Sequence, residues 1–408
     1  MHKRDECGMI ADGRRALENT PWSRCDDVIT RFRPAAEHAG ITRLADVTGL
    51  DDVGVPVYLA IRPFSKSLTV SIGKGLERSQ ARVAAMMEAI ELWHAEEIEL
   101  PARILPWTPD GRPEVVDPRR LPVALNTGAG AWSGTTEWIE GTDLITGAPA
   151  WVPKLAVSMD FVDFDAHPCP VARNSNGLAS GEVRDQAILH ALDEVIERDA
   201  EWRWRNNDVS ARIALETVDN PRWQSLSEKL SAAGLVCAAW NVTSDVGIPA
   251  FGAVVVPDPD HTPWRTVGPH DGFAANPDPV KALLAAVTEA VQKRLTYIAG
   301  SRDDLSRHEL ARANDPELTA AVLAQLADEP EVVDFRSVAS PATGDFRGDI
   351  DAVLTRLTGA GYDQVVLVNL TREDLGVPVV KVLVPDMFGP VGACAPPMSV
   401  SAVEEVGA

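Results

Sequence analysis

The sequence predicts an α/β (α+β) protein with mixed sheets and packed helices. Two observations carry that reading. Strand-like apolar runs interchange with runs of helical period along much of the chain. The composition is that of an ordinary folded protein: 408 residues, 45% hydrophobic and 24% charged, enough to bury a large core and too apolar for disorder.

Taken in order, residues 1 to about 24 are polar and mixed and read as a lead-in. From Asp26 to Ala39, Val28, Ile29 and Phe32 have helical spacing, with Gly40 as the stop. Strand character follows at Ile41–Val47, Val55–Ile61 and Leu68–Ile72, and Gly73-Lys74-Gly75 reads as a turn into a long helix. Residues 101 to about 170 hold ten prolines and several tryptophans and predict hairpins and loops, with Trp138–Thr142 and the following Asp143–Gly147 as strand, turn and strand. The small polar run Arg173–Gly181 enters a second long helix, in which Trp202 and Trp204 read as packing residues. Beyond it come helix Trp223–Gly234, strands Val236–Asn241 and Ala250–Val256, helix Pro279–Ile298, helices at Glu317–Asp328 and Asp349–Ala360, and strands Gln364–Leu370 and Val379–Val384. The expected division is a lead-in at 1–40, one main domain at 41–390 and a short mobile tail at 391–408.

The formal charge of −22 repels phosphate backbones and no Lys/Arg cluster interrupts it, so nucleic acid is not an expected partner. The N-terminus lacks the apolar core of a signal peptide and no run approaches membrane-spanning length, which predicts a cytoplasmic protein without a membrane partner. Five cysteines, Cys7, Cys25, Cys169, Cys237 and Cys394, are odd in number and scattered, and read as buried or idle thiols.

Two stretches stand out, Glu88-Ala-Ile-Glu91 and Glu194-Val-Ile-Glu197-Arg198. Each sets two carboxylates on one face of a helix, one turn apart, inside an apolar-periodic run where an unpaired charge is costly. A glycine stands thirteen residues before each pair, Gly75 before Glu88 and Gly181 before Glu194, which makes a weak internal repeat. Two such helices facing each other would form an acidic pocket suited to a hard cation such as Mg2+. Two amphipathic helices with acidic faces in water would show the same spacing. Lys74, between two glycines at a strand-to-helix junction, invites a phosphate-binding reading, although neither common nucleotide-binding loop occurs. His94 reads as a structural histidine, and Arg302-Asp303-Asp304 as a helix cap with a salt bridge or a substrate-facing loop.

Gly73-Lys74-Gly75, Met87–Glu96, Ser175–Gly181, Glu194–Ala200 and Thr288–Asp304, in this order and spacing, resemble the YcaO family over roughly residues 40 to 390. The resemblance implies a YcaO-like fold and an enzyme that uses ATP and Mg2+ to phosphorylate a backbone amide oxygen in a ribosomally made peptide, after which a side chain, sulfide or amine replaces that oxygen. It implies Glu88, Glu91, Glu194 and Glu197 as metal–phosphate residues, Arg198 as a cation on the phosphates, and Glu197 and Arg198 as the catalytic pair. Lys74, Glu182, Gln186 and Arg294 complete the nucleotide-site candidates. Ala84, Glu182 and Gln186 depart from the family's usual Ser, Asn and Glu, and Asn276 and Asn369 stand where His and Asp look more usual. Those departures leave open a member that keeps the fold but not the nucleotide site and binds a peptide or a partner protein.

Azoline-forming members commonly end in a Pro-x-Pro-x-Pro tail, whereas this chain has Pro396-Pro397. Glu91–Glu96 and Leu295–Asp304 look more like members that act with a TfuA-like partner and form thioamides. No leader-peptide-binding domain is evident, so the implied partners are a precursor peptide and a TfuA-like or leader-binding protein, with a homodimer as the default for a soluble enzyme.

Overall fold

A computed structural model of the chain describes residues 24–107, 114–124, 132–162, 170–206, 210–261, 267–302, 304–305, 307–328 and 332–387. The tail at 391–408, the first 23 residues, Asp303 and three of the cysteines (Cys7, Cys169 and Cys394) lie outside them.

The described chain opens with α1 (Cys25–His38) and a three-stranded antiparallel sheet of β1 (Arg43–Asp46), β2 (Val57–Ile61) and β3 (Val70–Lys74), from which α2 (Arg78–Glu96) departs. Next come β4 (Ala102–Pro106), β5 (Thr135–Asp143), β6 (Pro149–Pro153), β7 (Leu178–Ser180) and α3 (Arg184–Arg205). A third stretch holds β8 (Ala211–Ala214), α4 (Pro221–Ala232), β9 (Leu235–Asn241), β10 (Ala250–Pro257), β11 (His270–Ala275) and α5 (Pro279–Ala299). The last runs through α6 (Arg307–Arg312), α7 (Pro316–Asp328), β12 (Val332–Asp334), α8 (Phe346–Gly359), β13 (Val366–Asn369) and β14 (Val379–Leu383).

The second sheet has the order β11-β10-β9-β8-β12, and the third β4-β5-β13-β14-β7 with β6 beside β5. The expected mixed α/β architecture is what the chain adopts. Among the named strands only β8 and β12 pair in parallel, so the mixed character resides in the second sheet.

The core explains why several strands read as unbroken apolar runs. In β10, Ala250, Val254 and Val256 join the apolar cluster around α3, while Phe251, Ala253 and Val255 join the one around α4 and α5. Both faces are covered, so the usual in–out alternation is absent from the sequence. In β14, Val380 and Val382 pack toward α3 while Val379 and Leu383 pack toward α1 and α2. Helix α3 thus packs against both the second and the third sheet, through Ile188, Leu192, Val195 and Ile196. Val28, Ile29 and Phe32 of α1 pack into the same core as Met86, Met87 and Ile90 of α2, so the boundary expected at residue 40 follows a helix that belongs to the main core.

Elements without periodic patterning went unrecognised. Strand β4 is an exposed edge, and β11 begins His270-Asp271-Gly272 yet is buried throughout. Trp204 packs against Trp240 and Phe273 as expected, whereas Trp202 is 39% exposed. Gly73 and Lys74 are not a turn but the end of β3. Gly73 is required because α2 crosses directly over the strand: a Cβ there would lie 2.0 Å from Ala85 N and 2.2 Å from Ala81 O, both backbone atoms. Gly73→Ala is therefore expected to reach or exceed the upper end of the roughly 1–3 kcal/mol typical of overpacking. Urea denaturation checks this, and a loss below about 1 kcal/mol would contradict the close approach.

Candidate active site

Two edge strands set the site. β3 ends the first sheet and β7 ends the third, so both present backbone N–H groups without a strand partner. Helix α2 satisfies both with its acidic pair. Glu88 Oε2 accepts from Ile72 N–H at 3.0 Å, and Glu91 Oε1 accepts from Ser180 N–H at 2.9 Å and Ser180 Oγ–H at 2.6 Å. The spacing of three residues thus bridges two sheets. The second oxygen of each carboxylate accepts no hydrogen bond among the described residues.

Helix α3 supplies the facing wall. The backbone of Gly177 approaches Glu194 and favours its charge, at a position where a positive φ of 77° and a Cβ position 2.2 Å from Val382 O admit only glycine. Arg198 Nη1 lies 3.5 Å from Glu197 Oε1, and its Nε lies 4.0 Å from Glu194 Oε1. A third wall comes from α5, where Glu289 Oε2 accepts from Lys74 Nζ at 2.8 Å. The side chains of Glu194, Glu197, Arg198, Lys74 and Glu289 are between 13 and 31% exposed, so solvent reaches the cluster.

The internal repeat is structural. Gly75 and Gly181, Glu88 and Glu194, and Glu91 and Glu197 each stand 106 residues apart (181 − 75, 194 − 88, 197 − 91). So do Gln80 and Gln186, and both do the same work: Gln80 Oε1 accepts from the N–H groups of Leu76 and Glu77, and Gln186 Oε1 from that of Glu182 at 2.8 Å. Each glutamine brackets the start of its helix.

The structure brings Lys74, Glu88, Glu91, Glu194, Glu197 and Arg198 together. It places three other candidates differently. Gln186 is fully buried with its amide oxygen committed to the helix start. Burial raises the Cys25 thiol at the beginning of α1, and Glu182 lies near enough to add a smaller push in the same direction. Arg294 donates to Asp51 at 2.9 and 3.2 Å and to the Val267 carbonyl at 3.2 Å, which pins α5 to the loop after β1. Five residues beyond Glu289 on a helix is about 140° around the axis, so Arg294 and Glu289 occupy different faces.

The structure adds Glu289, Lys293 and Lys381. Lys381 is fully buried, donates to the Asn174 carbonyl at 2.7 Å and faces Glu194. A lysine inside Val-Val-Lys-Val-Leu was the available signal, since buried lysines are rare without a partner. Asn276 donates to Asp193 at 2.9 Å, and Asn369 accepts from Thr371 N–H at 3.2 Å. His94 has the structural role expected of it: buried, pushed down to about 4 by desolvation, and donating from Nδ1 to the Ile90 carbonyl. Arg302 pairs with Asp304, as the salt-bridge reading expects, and lies near enough to Glu88 to favour its charge. Burial pushes the Cys237 thiol up to about 12, which excludes it as a nucleophile near neutral pH.

Burial dominates the electrostatics. Desolvation pushes Glu88 up to about 7 and Glu91 up to about 8, and it raises Glu194 and Glu197 despite Arg198 beside them. Glu289 goes the other way, because Lys74, Lys293 and Arg198 together outweigh its burial. Between about pH 5 and pH 8 the folded chain therefore holds protons on Glu88 and Glu91 that the unfolded chain has released. That difference by itself lowers stability as pH rises. Below the ordinary histidine range the opposite holds for His94, His190 and His270, which burial pushes down to about 4, so the net fall in stability is expected above it, between about pH 7 and pH 8. Thermal melts in EDTA check this, and a Tm that climbs from pH 7 to pH 8 would contradict it.

The donor set fits a hard cation. It is all carboxylate oxygen, and Glu197 Oε1 is buried without a hydrogen bond. Among the described residues no three His, Cys, Asp or Glu side chains stand close enough to hold a metal ion by themselves, so a bound ligand would have to complete the site. Mg2+ suits that arrangement, since it usually takes one or two carboxylates together with phosphate oxygens and water.

Carboxylates that converge with Arg198 and Lys74 from facing helices of an α/β fold define a class of protein suited to a divalent cation with an anionic ligand. Residues 72–388 match the family model described as YcaO cyclodehydratase, ATP- and Mg2+-binding. The chain is 34% identical over 372 residues to an uncharacterised protein of Methanothermobacter thermautotrophicus, covering 89% of this chain and 94% of that one. It is 32% identical over 367 residues to an uncharacterised protein from the tfuA 3′ region of Rhizobium leguminosarum bv. trifolii, covering 87% and 86%. The solved structure of YcaO from Methanopyrus kandleri bound with AMPPCP and Mg2+ superposes with a TM-score of 0.67 at 24% identity, over 94% of this chain and 99% of that one. The chain belongs to the YcaO family, whose ligands are ATP and Mg2+.

Proposed function

We propose that this chain uses ATP and Mg2+ to activate a backbone amide of a ribosomally made peptide, leading to a thioamide or an azoline. The observation that carries the reading is the convergence of Glu88, Glu91, Glu194 and Glu197 from two helices with Arg198 and Lys74, in a chain of an ATP- and Mg2+-binding cyclodehydratase family. When bound, Mg2+ and ATP would supply charge neutralisation and the phosphoryl group that activates the amide oxygen. The four glutamates would hold the metal. Arg198 and Lys74 would face the phosphates, and Ile72 and Ser180 keep Glu88 and Glu91 oriented.

Thioamide formation with a TfuA-like partner is the finer reading, supported by the relative from a tfuA region. The test is to incubate the chain with ATP, Mg2+, sulfide, a candidate precursor peptide and the TfuA-like protein, and to weigh the peptide. Sulfur replacing oxygen raises the mass, and azoline formation lowers it by a water. If the chain neither binds Mg-ATP nor changes the peptide, the enzymatic reading fails. A member that binds peptide or partner without nucleotide chemistry would then stand, as the changes at Ala84, Glu182 and Gln186 allow.

A further inference from the structure

We propose that Glu201 is the positioning residue for Arg198: it holds the guanidinium from behind by one nitrogen and leaves its other donors open toward the acidic cleft. The proposal rests on the reading of that cleft as a phosphate site. Glu194, Arg198, Glu201 and Arg205 follow one another at intervals of four, three and four residues, so they form one stripe along α3 with alternating charge.

Glu201 is the two-sided member of the stripe. Its Oε2 accepts from Arg198 Nη1 at 3.1 Å, and its Oε1 accepts from Arg205 Nε at 3.0 Å and Nη2 at 2.8 Å. The residue is 4% exposed, unlike a solvated pair on a helix surface. Arg205 is fixed in turn by Asp271 of β11 and lies over the ring of Phe273, with its Cζ 5.0 Å from the ring centroid. Asp271 also accepts from Lys293 Nζ at 3.4 Å, and Lys293 lies 4.0 Å from Glu289, the partner of Lys74. Arg198, Glu201, Arg205, Asp271, Lys293, Glu289 and Lys74 thus form a chain of alternating charge that runs from one wall of the cleft to another.

The consequence lies at Arg198. A guanidinium free to rotate would form a bidentate pair with Glu194 or Glu197 and consume the carboxylates that face it. Here its contacts to them stay at 4.0 and 3.5 Å. Among the described residues its Nε and Nη2 donate no hydrogen bond, and Glu197 Oε1 accepts none. Glu201 keeps both the cation and the carboxylate available at once.

The test is a double-mutant cycle with a structural readout. Glu201→Ala should lower kcat/KM for ATP roughly tenfold or more, and cost under about twofold once Arg198→Ala is present. The 15N spectrum of arginine Nε–H groups, with Arg198 assigned through Arg198→Lys, should lose or shift the Arg198 signal in Glu201→Ala without nucleotide present. Glu201→Gln, which keeps shape and one acceptor, should retain part of both and serves if the alanine variant does not fold. An equal loss in both backgrounds, or an Arg198 signal unmoved by either Glu201 substitution, would overturn the proposal. If the wild type binds no Mg-ATP, the phosphate-site reading fails instead, and the spectrum still decides whether Glu201 holds Arg198.

Discussion

Glu197→Gln is expected to cut Mg2+-dependent ATP turnover by roughly 10^2–10^3-fold, the scale seen when one fixed group that stabilises developing charge is removed. The substitution is nearly isosteric and removes only charge. Glu197 is surrounded by Glu194 and Glu289 as well as by Arg198 and Lys74, and burial has already raised its carboxyl. Its charge therefore costs stability in the folded chain at pH 8, so the variant should melt at the same temperature as the wild type or higher in EDTA. Activity and stability move in opposite directions, which a misfolded variant would not show. Turnover assays with peptide, paired with thermal melts, check both halves. A variant that is fully active would remove Glu197 from the site, and one that melts lower would show that its charge is not a burden.

Glu96→Ala should produce the largest loss of stability, about 3–5 kcal/mol, because it leaves a buried guanidinium without its partner. Arg62 and Glu96 form an ion pair whose side chains are 3% and 1% exposed. Arg62 also donates to the carbonyls of Ala39 at 3.0 Å and Ala89 at 3.2 Å. Glu96 accepts from Ser65 Oγ at 2.7 Å, Ser67 Oγ at 2.5 Å and Ser67 N–H at 3.1 Å. The pair thus ties the end of α1, the loop after β2 and the C-terminal turn of α2 together. In sequence Glu96 resembles one more acidic residue trailing the Glu88–Glu91 pair, yet it serves the fold. Urea denaturation should register the loss, and a change within about 1 kcal/mol would show that the partners rearrange into solvent.

How much could be read beforehand differs by residue. The long helices and most apolar strands were legible, because a face buried in the core imposes its period on the sequence. Strand β11 was not, since Asp271 is buried against the distant Arg205 and His270 is buried with its ring bonded to the nearby Gly268 carbonyl. Gly73 reads in the sequence as part of a turn, whereas what requires a glycine there is a helix crossing over the end of β3. Gln186 was legible as a departure from a family pattern, while its bracketing role shows only beside Gln80. Arg294 and Lys293 are neighbours in sequence, and which of them approaches the cleft depends on how α5 is rotated against β3 and β11.

By itself the sequence determined the two acidic pairs, their placement one turn apart on helices, the repeat that relates them and the excess of negative charge. These are local or compositional properties, fixed by helical geometry and residue type. Tertiary structure alone decided that the pairs share one cleft, that Glu88 and Glu91 are oriented by the free edges of two different sheets, and that Glu289 joins them. Lys74 and Glu289 stand 215 residues apart and meet at 2.8 Å. Such a contact follows from how α5 packs against the first sheet, and no periodicity along the chain encodes it.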